Sequence, residues 1–244
     1  MQRKLWPIVV VAVVAAAALP GVSQAQSGGG DRAVQIRLGG FFPEGGGPLW
    51  GDVEDRFTLD ADDFNDGMLG FTFLTGWSNH WEIGANVDFY SETILSEERD
   101  FVDLSGLPIF HDTQLEMVPA SVDVRYLPWG RYRSRPRGVR VLKPAFYVGA
   151  GLGFNIWEYE EFGDFVDDTD PLDPFLFFDH LTEEGVAFQA HVLAGIELPL
   201  GPRFNLLFEG RRTWADDELE DELGALDRIE LGGTSVFVGG AFRF

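Results

Sequence analysis

Nine charged side chains stand at alternate positions within otherwise apolar stretches: Arg37, Glu82, Asp88, Asp123, Arg125, Glu197, Glu209, Arg211 and Arg243. Typical neighbours are Ile36 and Leu38, Val87 and Phe89, or Ile196 and Leu198. Four guanidiniums set against five carboxylates form the composition of an ion-paired network, because buried charge is tolerated only when it is paired or hydrated. Mutual neutralisation is the chemistry expected of them. Catalysis would need a nucleophile and a base in register. His80 falls in a short turn, His111 and His180 in long loops, and His191 in an alternating segment, with no serine in a nucleophile-elbow context. No enzyme activity and no cofactor are expected. The acidic stretches lack EF-hand-type spacing, so no metal site is expected either.

The elements that position these charges follow from a period of two. Alternation recurs in eight segments, 34–43, 68–77, 81–90, 116–126, 146–157, 187–198, 204–214 and 235–244. Each is about the 9–11 residues that a tilted strand needs to cross a bilayer. Val34, Ile36 and Leu38 oppose Gln35 and Arg37; Val122 and Val124 oppose Asp123 and Arg125. The apolar sets are nearly unbroken, whereas the other sets mix charge with glycine, as in Gly149, Gly151 and Gly153. This reads as an all-β protein, an eight-stranded antiparallel up-and-down transmembrane β-barrel with lipid outside and ions inside. A soluble lipocalin-like barrel would turn the apolar set inward. Trp77, Trp81, Tyr126, Phe146 and Phe204 at one set of strand ends, and Phe42, Phe89, Phe188 and Trp214 at the other, suit two interfacial girdles. An even strand count puts both termini on the periplasmic side.

Connections alternate as well. Short joins at 78–80 and 200–202 separate long segments at 44–66, 91–114, 158–185 and 215–234, which hold 33 of the 40 acidic residues and three Lys/Arg. The join at 128–144 departs from this pattern, with six cations and no acid. It reads as a solvated hairpin extension, with a periplasmic docking site for an acidic partner or anionic lipid as the rival.

Residues 1–25 read as a cleaved secretory signal, with Arg3 and Lys4, the apolar run Ile8 to Ala18, and Ser23-Gln24-Ala25 as the cleavage site. The barrel domain is then 26–244. The chain has no Cys and a formal charge of −22, which excludes disulfide stapling and disfavours nucleic acid as a partner.

Above the charged positions the inward set turns apolar: Phe41, Met68, Tyr90, Met117, Trp157 and Phe237. These six are the expected ligand pocket, an apolar vestibule over a polar plug, with simple filling of a narrow barrel as the alternative. Pro119 falls inside a spanning strand, where it has no N–H for the ladder. It is the expected lateral seam, through which an apolar solute would leave into the membrane.

Val34-Gln-Ile-Arg-Leu-Gly-Gly, Gly70-Phe-Thr-Phe, Val118-Pro, Lys143-Pro-Ala-Phe-Tyr-Val-Gly-Ala-Gly-Leu-Gly-Phe and the ending Val236-Phe-Val-Gly-Gly-Ala-Phe-Arg-Phe together resemble the OmpW family of small outer-membrane proteins. The resemblance implies a narrow barrel with an apolar pocket for small hydrophobic molecules. Acidic loops and the Arg-rich turn depart from the family pattern. The expected function is a narrow pathway or pocket for small hydrophobic solutes. Structural or adhesive duty through the acidic loops is the alternative. Expected partners are outer-membrane lipid and lipopolysaccharide (with Arg212 toward its phosphates), the small solute, and the barrel-assembly machinery reading Phe242 and Phe244 of the last strand.

Overall fold

A computed structural model describes residues 31–103, 105–134, 140–167, 175–219 and 227–244. The proposed signal segment, the centre of the Arg-rich turn and parts of two acidic loops lie outside the described residues. Alternation becomes eight long strands: β1 (Arg32–Pro43), β2 (Asp66–Gly76), β3 (Trp81–Val102), β4 (Pro108–Tyr126), β7 (Ala145–Asp167), β8 (Phe175–Pro199), β9 (Phe204–Glu218) and β11 (Gly233–Arg243). Three short strands, β5 (Tyr132–Ser134), β6 (Arg140–Leu142) and β10 (Arg228–Glu230), sit in the connections.

Neighbours in sequence pair antiparallel, β1–β2–β3–β4–β7–β8–β9–β11, and β11 returns to β1, so the pairings run round a ring of eight. Arg32 and Phe244 join across that last seam, the Phe244 N–H donating to the Arg32 carbonyl at 2.9 Å. Parity sorts the two faces as the period-two pattern requires. Ile36, Leu38, Val122, Leu152, Phe188 and Val236 are exposed on the outside, while Gln35, Arg37, Asp123, Arg125 and Glu209 are buried within. Such an outer surface suits hydrocarbon, not water. Among the described residues no helix is long and apolar enough to cross a membrane.

Two connections differ from the loops expected. Segments 91–114 and 158–185 are largely strand: β3–β4 pairs out to Glu97↔Phe110 and, after a register shift, again at Val102↔Pro108, and β7–β8 pairs out to Asp167↔Phe175. Backbone ladders need only a partner strand, and the inner side chains there (Ile109, Tyr159, Phe165) are still buried.

The first long connection supplies that core. Residues Gly47–Arg56 form a helix, α1, with Pro48 in its first turn, followed by a 3₁₀ turn at Ala61–Phe64. Asp60 caps that turn reciprocally: its carboxylate accepts the Asp62 N–H at 2.9 Å, and Asp63 accepts the Asp60 N–H at 2.9 Å. Leu49, Trp50 and Val53 lie on one face of α1 and pack down into the ring, together with Phe57, Leu59 and Phe64. The first connection is thus folded back over the barrel mouth.

Candidate functional site

The lumen is stratified. At the floor, Arg243 bridges Glu82 at 3.2 Å and Glu197 at 2.9 Å, and reaches Asp31 at 2.8 Å. Gln35 and Asn205 donate to Glu197 at 3.0 and 2.8 Å. One level higher, Arg37 holds Asp88 and Glu209, each at 2.6 Å. Arg211 reaches the same two carboxylates at 2.7 and 3.1 Å. Arg125 pairs with Asp123 at 2.8 Å and Glu209 at 3.3 Å, and the Tyr147 hydroxyl donates to Glu209 at 2.9 Å. All nine charged positions read from the sequence meet in this one network.

A tenth member comes from the Arg-rich turn. Arg131 is buried and places Nη2 2.5 Å from Glu82, Nε 3.0 Å from the same carboxylate, and Nη1 2.7 Å from Glu197. It supplies a fifth guanidinium opposite the five carboxylates read from the sequence and Asp31, the sixth. Local structure delivers it. The Gly130 N–H donates to the Leu127 carbonyl at 2.9 Å, closing a turn over Pro128 and Trp129. Gly130 has φ +69°, and a Cβ there would lie 2.3 Å from the Asn79 side chain. The Asn79 side-chain oxygen in turn accepts the backbone N–H of Arg131 at 3.1 Å and of Tyr132 at 2.8 Å. This part of the turn belongs to the lumen floor and is not the solvated extension expected; the rest of 128–144, for which a docking site was the rival reading, falls partly outside the described residues.

Phe237 divides ions from grease. Its ring lies 4.8 Å from the Arg37 guanidinium and 5.7 Å from that of Arg211, a cation–π arrangement. Above it, Phe41, Met68, Tyr90, Met117 and Trp157 gather in one buried cluster, so the six residues expected to line a pocket do share one chamber. That chamber is filled by the chain's own first connection. Trp50 and Phe64 meet edge to face at 5.2 Å, and Phe41 and Tyr90 at 5.1 Å. The Tyr90 hydroxyl donates to the Phe64 carbonyl at 2.5 Å, and Trp50 Nε1 to the Glu230 carbonyl at 3.0 Å. Higher still, His111 is sandwiched between Phe57, stacked at 4.3 Å, and Phe165, edge-on at 4.6 Å. Of the two expectations, an apolar vestibule or simple filling, the described residues show the space filled, because apolar α1 residues bury themselves there instead of facing water.

Pro119 marks a fault in the wall. Between β3 and β4 the register runs unshifted through Val87↔Ala120 and Tyr90↔Met117, yet Asp88 and Phe89 make no pairing with Pro119 and Val118. On the other side of β4, Val118↔Ile156 and Pro119↔Asn155 stay paired. Proline lacks the N–H that would close the ladder.

Outside, the apolar face ends abruptly at Val118, Ile156 and Val186. The next outward row is Glu116↔Glu158↔Glu184, three carboxylates directly opposite one another on β4, β7 and β8. Burial, a hydrogen bond shared with Glu160, and the charges of Glu160, Glu116 and Glu184 hold the Glu158 carboxyl above the usual glutamate range. Arg212, expected to face phosphate, pairs with Glu44 and donates to the Thr234 hydroxyl at 3.1 Å. Phe242 and Phe244 lie exposed side by side at the end of β11, ring centroids 6.4 Å apart. Among the described residues no cluster of three His, Cys, Asp or Glu is arranged to hold a metal ion.

No protein-family model and no curated sequence matches this chain. Likeness appears in solved structures. The outer membrane protein OprG from Pseudomonas aeruginosa aligns with TM-score 0.52 and 11% identity, over 88% of this chain and 96% of that one. Neisserial surface protein A aligns with TM-score 0.46 and 9% identity, over 87% and 97%. Ail, the attachment invasion locus protein of Yersinia pestis, solved with the heparin analogue sucrose octasulfate, aligns with TM-score 0.44 and 12% identity, over 88% and 99%. The fold is that of small outer-membrane β-barrels. At such low identity the likeness extends to architecture alone.

Proposed function

We propose that this is an integral outer-membrane barrel, OmpW-like in kind with both termini in the periplasm, that exchanges small apolar molecules sideways between its outer half and the surrounding membrane. Passage along the axis has no part in this reading, since five arginines and six carboxylates fill a bore just wide enough for side chains. No catalytic step is assigned. The observation that carries it is the unpaired stretch of Asp88 and Phe89 against Val118 and Pro119, immediately below the Tyr90↔Met117 pair of the apolar chamber. The first connection acts as the lid.

Two perturbations test it in cells taking up an apolar fluorescent probe. Pro119→Ala restores a ladder N–H and is expected to slow uptake. Thr58→Cys with Glu97→Cys, which sit opposite each other where the Thr58 N–H donates to the Glu97 carbonyl at 2.8 Å, pins the lid to β3 in a chain that has no other cysteine. Uptake should fall on oxidation and return on reduction. Uptake indifferent to both changes rejects the reading.

A second reading, adhesive or structural duty, is favoured by the paired hairpins beyond the acidic row. They present Leu95, Phe110, Phe162 and Phe178 to solvent at 63, 52, 45 and 61% exposure. Shortening β7–β8 above Glu158 would then abolish cell contact while sparing probe uptake.

A further inference from the structure

Three uncharged polar side chains follow one another down the inner wall from the edge of the apolar chamber into the ionic plug: Asn155 on β7, then Gln189 and His191 on β8, His191 in the ladder row of Asp123. Each is only 2% exposed. Parity points all three inward, and the ladder sets them close together, since Asn155 pairs with Ala187, Gly153 with Gln189 and Gly151 with His191. The glycines leave room for their neighbours: a Cβ on Gly151 would lie 2.5 Å from the His191 ring. Asn155 spends its Nδ2 on the Met117 sulfur at 3.2 Å, which orients the amide and leaves Oδ1 free. Asn155 Oδ1, Gln189 Oε1 and both ring nitrogens of His191 are buried without any hydrogen-bond partner in the protein. Buried polar atoms are nearly always satisfied, so a run of them down one stretch of inner wall calls for a guest.

The surroundings define that guest. Every carboxylate of the plug beneath is already paired, so a charged head would arrive without a counter-ion and pay for its desolvation. Two carbonyl acceptors ask for donors, and a neutral imidazole offers one donor and one acceptor. A hydroxyl donates its one O–H to one of these carbonyls and accepts the imidazole N–H. Asn155 is also the direct ladder partner of Pro119, on the strand whose other edge carries the unpaired stretch. A molecule whose head sits on this run can therefore leave its tail in the fault and the hydrocarbon outside. We propose that Asn155, Gln189 and His191 form a binding site for the hydroxyl head of an uncharged single-chain amphiphile, of the kind represented by a long-chain alcohol. The site deepens the lateral-exchange reading and rests on it for the route of entry.

The test is equilibrium binding to the full mature protein in nanodiscs, using dodecanol, dodecane and dodecanoate with the same tail length. Dodecanol is expected to bind at least tenfold more tightly than either. Asn155→Leu and Gln189→Met, measured separately and each checked for folded gel mobility, should each remove most of that preference while leaving dodecane binding unchanged. Wild-type protein that binds alcohol and alkane equally overturns the proposal, as does a site that holds water only. Loss of both ligands in equal proportion, in variants that fold, overturns it too. Because binding is read at equilibrium, it is independent of the uptake rate. Lateral exchange fails on the Pro119→Ala and lid-locking results, and head recognition fails on the alcohol preference.

Discussion

Replacing Arg131 by Met removes four hydrogen bonds at once, at 3.0 and 2.5 Å to Glu82 and 2.7 and 3.2 Å to Glu197. Arg243 alone is then left to neutralise two buried carboxylates, at 3.2 and 2.9 Å, helped at Glu197 by Gln35 and Asn205. Breaking a buried pair by deleting one partner costs about 3–5 kcal/mol, because the survivor keeps its desolvation penalty. That corresponds to roughly a hundred- to several-thousand-fold in the unfolding constant. Urea unfolding of barrels reconstituted in lipid vesicles, followed by tryptophan fluorescence, measures it. Arg133→Met is the control, an exposed cation two residues away, and should change stability by no more than ~0.5 kcal/mol. The decisive variant is Arg131→Met with Glu82→Gln, which restores charge balance and should recover much of the loss although it deletes a second charged group. If Arg131→Met costs no more than the control, or if Glu82→Gln is as harmful in the variant as in the wild type, the floor is not an ion-paired unit.

Other outcomes follow from the same geometry. Gly130→Ala forces a Cβ into the Asn79 side chain at a left-handed φ, and should cost about 1–3 kcal/mol in the same assay while displacing Arg131. Trp50→Ala empties the centre of the lid's packing. A loss of about 3 kcal/mol would raise the open population roughly a hundredfold, read as faster tryptic cleavage after Arg56 with the barrel still folded. Glu158 binds its proton more tightly in the folded chain than in the unfolded one, so its contribution favours folding at low pH and is lost as pH rises above the usual glutamate range. Glu158→Gln should flatten that part of the pH–stability curve, and an unchanged slope would show that the acidic row is not coupled.

Legibility in the sequence tracks period. Wherever side chains alternate, as from Gln35 to Arg37 or Asp123 to Arg125, parity alone assigns the face, and the inward charges can be read. Pro119 is legible for a related reason, since the missing N–H is a property of the residue itself. Arg131 is not, because a turn has no parity: what aims it is an Asn79 amide 52 residues away and one glycine. The hairpin extensions were read as loops because their outward positions turn acidic at Glu116, Glu158 and Glu184. That change reports where hydrocarbon stops, and hydrogen-bonded pairing ignores it. The lid was hidden too. Leu49, Trp50 and Val53 make a short apolar stripe in a Gly- and Pro-rich segment, and nothing local tells it to fold inward.

The guanidinium that completes the floor belongs to the turn between β4 and β5, whereas its two acceptors ride on β3 and β8, on opposite sides of β4 and β7. It can dock only after those staves have been brought within a few ångströms of each other. Its two ion pairs therefore report that β3 and β8 have curled toward each other across β4 and β7, and a chain stalled before that point would keep an unsatisfied cation at the floor of the lumen.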